Sequence, residues 1–430
     1  MNRRALLLLL LTMAFVVPAF ADDPLATNVV SNISAAQRWP WNGKVDINYT
    51  LTSNEANPIF RVAFYGQIGS GEPFALNTLE GEGSCGVTFA SGVKRVTWDA
   101  SIDAPNIDSK NVKFGIIALD VTEAADYLVL DLNNFTMSYN MAGPDIEQDT
   151  HKNCKTWKIW FKRIKAGTFD MGSVSDEPGR EPTNPKHYED KHQVTITKPF
   201  YIAVFETTEA QFATLTGASS SSMLPKTQLK YEDLRGSKYG ITWPAYTDHR
   251  VDANSFFGKM RQKTGYGLKF DLPTEAQWEM AARDKGDGTY HDDYVWNDGT
   301  TFWKTEIDDT DPENPIITQY VDYSDLTNLA WYADQTGTRG VVHEVGLKKP
   351  GINGLYDIHG NVWEYTMDRF LNHLGTDPVV DPVGSDIGNF AIVKGGSIYK
   401  NDPPNYCRMA MRLTKNVKND NIGFRIAIVF

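Results

Sequence analysis

Hydrophobic and polar positions alternate along the first third of the chain. Val45, Ile47, Tyr49 and Leu51 interleave with Lys44, Asp46, Asn48 and Thr50, the two-residue period of a strand with one face buried. Phe60, Val62 and Phe64 repeat it, and apolar runs follow at 93–98, 112–119 and 127–132. Turn-formers such as Gly69-Ser70-Gly71-Glu72-Pro73 and Ala104-Pro105-Asn106 separate the runs. Short strands at this spacing predict an all-β, immunoglobulin-like sandwich over residues 22–141. Nothing in it looks catalytic: it carries no histidine and one isolated thiol, Cys85, so an accessory domain is expected.

The chain then turns polar, and residues 142–155, opening on Ala142-Gly143-Pro144-Asp145, are expected to form a linker. Beyond it the apolar spacing lengthens to that of helices. Thr208-Glu209-Ala210-Gln211 and Thr274-Glu275-Ala276-Gln277 each have the capping-box form, hydroxyl and amide satisfying each other's exposed backbone donors. The first of these helices is expected to stop near Gly217. Between them, Asp252 is the expected cap of a helix that carries Phe256, Phe257 and Met260 and ends near Gly265. From about 285 onward, Gly, Asp, Asn and Trp abound and helical spacing fades. An α+β domain with much irregular backbone is predicted for residues 156–430.

The amino terminus changes the picture of where the chain works. Arg3 and Arg4 precede an apolar run from Ala5 to Val17, then Pro18 and Ala19-Phe20-Ala21. This is the pattern of a cleaved secretory signal, residues 1–21. The mature chain is expected to begin at Asp22 and to be exported, periplasmic or secreted, with no membrane span. A net charge of -12 without any basic stripe excludes a nucleic-acid binder. Cys85, Cys154 and Cys407 allow at most one bridge; Cys154–Cys407 is the expected pair, both lying in the later domain.

Seven phrases in that domain are more specific. They are Ala166-Gly167-Thr168-Phe169-Asp170-Met171-Gly172-Ser173, Lys198-Pro199-Phe200-Tyr201-Ile202, Leu272-Pro273-Thr274-Glu275-Ala276-Gln277-Trp278-Glu279, Asn353-Gly354-Leu355-Tyr356-Asp357, Gly360-Asn361-Val362-Trp363-Glu364, Gly395-Gly396-Ser397 and Ile422-Gly423-Phe424-Arg425. In order and spacing they resemble the sulfatase-modifying-factor family, which contains the formylglycine-generating enzymes. The resemblance covers about residues 156–430 and implies a compact variant of the C-type-lectin-like fold.

Members of that family include copper-dependent oxidases of a sulfatase cysteine, domains of iron-dependent sulfoxide synthases, and lectin-like proteins without known chemistry. The oxidases hold soft Cu(I) between two thiolates. Carried over, those positions are Lys400 and Asn405 counted from Ser397, or Tyr399 and Pro404 counted back from Arg408. Neither register supplies a thiol, so copper is not supported. Iron is not supported either, because the synthases draw its ligands from a histidine-rich helical domain in front. His187 with His192, and His343 with His359, are read as solvated or structural.

The resemblance implies a structural calcium at the turn holding Asn361 and Glu364, whose oxygens suit a hard cation. It also implies that Ser397 and Tyr399 line the groove that holds an extended peptide in the oxidases, with Cys407 and Arg408 as further groove candidates. Arg412 and Arg425 are expected to pair within the core and bond loop carbonyls. No nucleotide loop, zinc spacing or Gly-x-Ser-x-Gly elbow occurs. The expected function is a diverged, non-catalytic binder of a peptide or glycan outside the cytoplasm. The alternative is an oxidoreductase of the formylglycine-generating or non-haem metal oxygenase type, acting on a protein or small-molecule thiol.

Overall fold

The computed structural model describes residues 29–429 except 39–41, 55–57, 72–73, 77, 82–86, 90, 105–111, 121–124, 147–150, 181–187, 237–250, 265–267, 294, 309–315, 334–339, 372, 384–389 and 416. The expected signal segment, Asp22, Cys85, His187 and Gly265 lie outside the described residues. The chain divides into two compact units, Met1–Thr122 and Glu123–Phe430.

The first unit is β-rich, as the alternation predicts. One antiparallel sheet runs Val30–Gln37, Lys44–Leu51, Gly92–Asp99, Leu79–Gly81, and a second is centred on Ile59–Ile68, which pairs with Phe74–Ala75, Val87–Phe89 and Val112–Asp120. Both sheets feed one core: Ile47, Tyr49, Leu51, Val96 and Trp98 from the first, Phe60, Val62, Phe64 and Ala118 from the second. Each large side chain buried there contributes roughly 1.5–3 kcal/mol. On the other face Asp46 binds Arg38, Arg95 and Thr97.

The second unit begins earlier than the sequence suggests. Tyr127–Asp131 and Thr136–Asn140 pair with each other, and Tyr127–Asp131 pairs with Lys158–Ile164. They form one side of a six-stranded sheet completed by Phe200–Ala203, Ala427–Val429 and Lys269–Asp271. The reason is burial: Tyr127 to Leu130 are buried without interruption, which suits a strand covered on both faces. Part of the expected linker is also structured. His151–Thr156 is a short helix, and the carbonyls of Cys154 and Lys155 accept bonds from Gln211 and Thr208.

Both capping boxes are present, Thr208 with Gln211 and Thr274 with Gln277, at the heads of helices Glu209–Thr216 and Glu275–Arg283. Such a cap contributes about 1 kcal/mol. Gly217 closes the first helix at φ 81°, a left-handed conformation that glycine adopts without strain. The third helix is Phe256–Thr264, and it is Ser255 Oγ that accepts the Gly258 amide at its first turn. Trp278 and Met280 pack into a core with Phe169, Met171, Val194 and Ile202. A second sheet, Leu413–Lys415, Ala391–Lys394, Trp363–Arg369, Ile422–Gly423, holds the closing segment. Among the described residues no helix is long and apolar enough to cross a membrane.

Candidate functional site

Gly395 and Gly396, at φ 95° and 78°, turn the chain out of strand Ala391–Lys394. A Cβ on Gly396 would stand 2.9 Å from Cys407 Sγ and from the Tyr406 carbonyl, so two closing strands of backbone meet only because no side chain intervenes. Ser397 follows, fully buried. Its hydroxyl donates to Asp402 Oδ2 and accepts from the Tyr399 amide at 3.2 Å and Asn421 Nδ2 at 3.1 Å. Asp402 Oδ2 also takes Trp363 Nε1 at 2.7 Å. Burial raises the Asp402 pKa, opposed by the Ser397 and Trp363 hydrogen bonds. Ser397 is a joint in a buried network.

Beside this joint lies a cavity of about 370 Å³. Its walls are mainly apolar, from Leu224, Pro225, Val341, Val342 and Ile398, with Glu209, Thr227, Tyr399, Asp420 and Asn421 also lining it. Asn421 is buried, and its Oδ1 has no hydrogen-bond partner.

Cys407 and Arg408 are turned into the interior. Cys407 ends the 3₁₀ turn Pro404–Cys407 and packs among Trp296, Phe302, Leu326, Leu329 and Ala330. Burial, then the charge of Asp402, drives its thiol pKa far up, the reverse of what a reactive cysteine needs. Arg408 forks onto Glu189, two bonds of 2.8 Å, reaches Glu177 at 2.9 Å and donates to the carbonyls of Asn405 and Gly179. Of the four groove candidates, Tyr399 lines the cavity, and Ser397, Cys407 and Arg408 brace the loop that carries it. At the positions carried over for paired thiols, Lys400 stands on a turn and Asn405 donates Nδ2 to the Gly179 carbonyl at 3.0 Å.

Residues 147–429 match the family model for the sulfatase-modifying factor enzyme 1-like domain. The chain belongs to that family. Among curated proteins it is similar to the formylglycine-generating enzyme of Streptomyces coelicolor, 31% identical over 167 residues, 36% of this chain and 46% of that one. The enzyme of the same name from Thermomonospora curvata is 32% identical over 167 residues, 36% and 48%. The chain thus spans less than half the length of these relatives. Among solved structures, Treponema denticola variable protein 1 matches with a TM-score of 0.42 and 23% identity, covering 63% of this chain and 95% of that one.

As a sulfatase-modifying-factor domain, the protein carries the expected α+β architecture with long irregular connections. The pair expected to hold calcium does not fit that ion. Asn361 donates Nδ2 to Glu206 Oε2 at 2.7 Å and to the His343 carbonyl, and its Oδ1 accepts the His343 amide. Glu364 is clasped by Arg425 through both carboxylate oxygens and receives Trp278 Nε1 at 2.7 Å. A guanidinium stands where a cation would have to approach. Among the described residues no group of three or more His, Cys, Asp or Glu could hold a metal ion.

Sequence reasoning missed the acids that complete this cluster. Glu206, fully buried, accepts the Asn361 amide and the Val362 N–H. Asp357, at φ 53°, accepts the Gly346 N–H, and its other oxygen has no partner. Burial, with the charges of Asp357 and Glu364, holds the Glu206 carboxyl well above the usual range; burial pushes Asp357 up to about 6. A signal existed for Glu206, a carboxylate directly after the apolar run 200–205.

The other arginines of the closing segment are interior braces. Arg412 forks onto Glu275 at 2.8 and 2.9 Å and bonds the carbonyls of Tyr188 and Leu371. Arg425 bonds the carbonyls of Ala203 and Tyr356. His359 accepts the Asn297 amide on Nε2, so its Nδ1 carries the proton and donates to the Cys407 carbonyl at 2.7 Å. Burial lowers its pKa to about 4. Cys154 and Cys407 are not bridged to each other, which corrects the expected pair. Helix His151–Thr156 points Cys154 into a cluster with Val204 and Val345, apart from the cluster around Cys407.

Proposed function

We propose that this sulfatase-modifying-factor domain is an exported binding module whose Tyr399 cavity takes an apolar side chain of an extended peptide, and that it does not oxidise cysteine. The observation that carries the reading is a mainly apolar cavity bordered by Tyr399, in a domain whose closing-segment thiol, Cys407, is sealed in the core. Five apolar walls suit a side chain held by burial, and the partnerless Asn421 Oδ1 offers an acceptor for a peptide N–H. Lys400 and Asn405, or Tyr399 and Pro404, offer no soft ligand pair for Cu(I). The export half rests on the charged and apolar segment ahead of Asp22.

Panning random phage-displayed heptapeptides against the whole protein tests the reading. Peptides with a shared apolar residue are expected to enrich, and Val341→Asp to weaken them roughly tenfold or more. Val341 is 77% exposed, so that variant is expected to fold. No enrichment over an unrelated protein would defeat the proposal. So would oxygen uptake when copper(I) and a sulfatase-type cysteine peptide are supplied, the outcome that favours the oxidoreductase alternative.

A further inference from the structure

A second cavity of about 220 Å³ opens elsewhere in the domain, bordered by strand Gly167–Met171, strand His192–Ile196 and the segment after helix Glu275–Arg283. Three buried polar atoms of its lining residues have no hydrogen-bond partner: Tyr290 Oη, His291 Nε2 and Asp293 Oδ1. His291 is 6% exposed and the Asp293 side chain 8%. Buried polar groups are nearly always paired, so unpaired atoms on residues that line one cavity, Tyr290 Oη and Asp293 Oδ1 above all, point to a ligand that completes them. Gly167 keeps the space open, since a Cβ there would fall 2.4 Å from Tyr290 Oη.

The charges around the cavity select the class of ligand. Lys191 is held by Asp293 at 2.7 Å and by Asp170 at 3.6 Å. Arg283 is held by Glu279 at 2.9 Å, with Asp293 Oδ1 at 4.0 Å. Both cations are thus already matched, and the exposed Asp292 adds a further negative charge. Phosphates and carboxylates find no unmatched cation there, and a metal cation would face an ammonium and a guanidinium.

What remains favoured is a neutral molecule whose groups both donate and accept. Asp293 Oδ1 accepts only, whereas the Tyr290 hydroxyl and a neutral imidazole can do either according to tautomer. Burial lowers the proton affinity of His291 and keeps it in that neutral form. Gln193 adds an exposed amide at the rim. The Tyr290 ring, 5.7 Å from Phe169, offers an apolar face for C–H groups. We infer that this cavity is a second binding site, independent of the peptide cavity, that takes a single neutral sugar ring.

The ring could come from a free monosaccharide or from one residue of a glycan chain, and titration separates the sources. Methyl glucoside, methyl galactoside and a tetrasaccharide of each are titrated into the whole protein, followed by saturation-transfer NMR. Saturable binding with a Kd of about 1 mM is expected. Gln193→Ala and Tyr290→Phe are each expected to weaken it roughly fivefold or more, with unchanged melting. Gln193 is exposed, so its variant reports binding even if the tyrosine variant is poorly folded. Val341→Asp, in the peptide cavity, is expected to leave sugar binding intact. Saturation by the methyl glycosides identifies the free sugar; saturation by the tetrasaccharides alone identifies the glycan. Binding that neither cavity variant weakens, or no saturation by any of the four, overturns the inference.

Discussion

Three carboxylates, Glu206, Asp357 and Glu364, crowd the single guanidinium of Arg425. Glu364 takes the fork, and Asp357 is left with one backbone N–H and a partnerless oxygen. Its carboxyl therefore holds a proton to about 6 in the fold, against an ordinary 3.8. The folded chain binds more protons than the unfolded chain across that window, so stability falls as pH rises from about 4 through about 6. The difference corresponds to a loss on the order of 3 kcal/mol, fully in place by neutral pH. Asp357→Asn removes the titration. Asparagine tolerates the left-handed backbone at φ 53° and can still accept the Gly346 amide. Its new N–H₂ would sit beside acids that can receive it. Urea unfolding of both proteins, followed by tryptophan fluorescence at pH 4.5 and 7.5, measures the effect. The variant is expected to gain on the wild type by about 2 kcal/mol between the two pH values. Parallel curves for the two proteins would refute the reasoning.

Three further outcomes are expected. Glu364→Gln removes the carboxylate that Arg425 clasps, leaving only Glu206 and Asp357 nearby, and costs up to about 3 kcal/mol by chemical denaturation, equally in calcium and in chelator. A loss confined to calcium buffer would restore Glu364 to a cation site. Arg408→Met leaves Glu177 and Glu189 buried without their cation and costs about 3–5 kcal/mol at pH 8. The cost shrinks below pH 7, because burial has already raised Glu177 to about 7; a pH-independent cost would contradict this. Cys407 is expected to resist thiol reagents in the native protein and to label only on unfolding, as peptide mapping would show. Complete labelling within minutes would reveal an accessible thiol.

Local signals are legible in the sequence. The alternation at Val45 to Leu51 and the two Thr–Gln capping boxes rest on neighbours within four residues, and both formed. Segments whose place depends on distant partners were harder. Tyr127–Asp131 has the hydrophobicity of a first-domain strand, yet its partner Lys158–Ile164 lies about 30 residues on. The site divides the same way. The glycines before Ser397 announced a tight turn, but the sequence could not show that Cys407 would be the reason for it. Nor could it show Arg425 turning toward Glu364, which converts an expected cation ligand into half of an ion pair.

The arginine braces have a consequence for the order in which this domain can be made. Arg408, Arg412 and Arg425 sit late in the domain, and their carboxylate partners lie at 177, 189, 275 and 364. Strand Ala427–Val429 is wedged between Phe200–Ala203 and Lys269–Asp271 in the main sheet. Without residues 408–429 the domain has unpaired buried acids and a gap in its sheet. Such long-range closure is slow and cannot proceed piecemeal. The domain's core is thus completed only when the segment from Arg408 to Val429 is in place, so its folding is expected to be a single cooperative step. A chain ending at Thr414 should remain protease-sensitive throughout residues 127–400, and a stable folded core in that truncation would show the last strand to be dispensable.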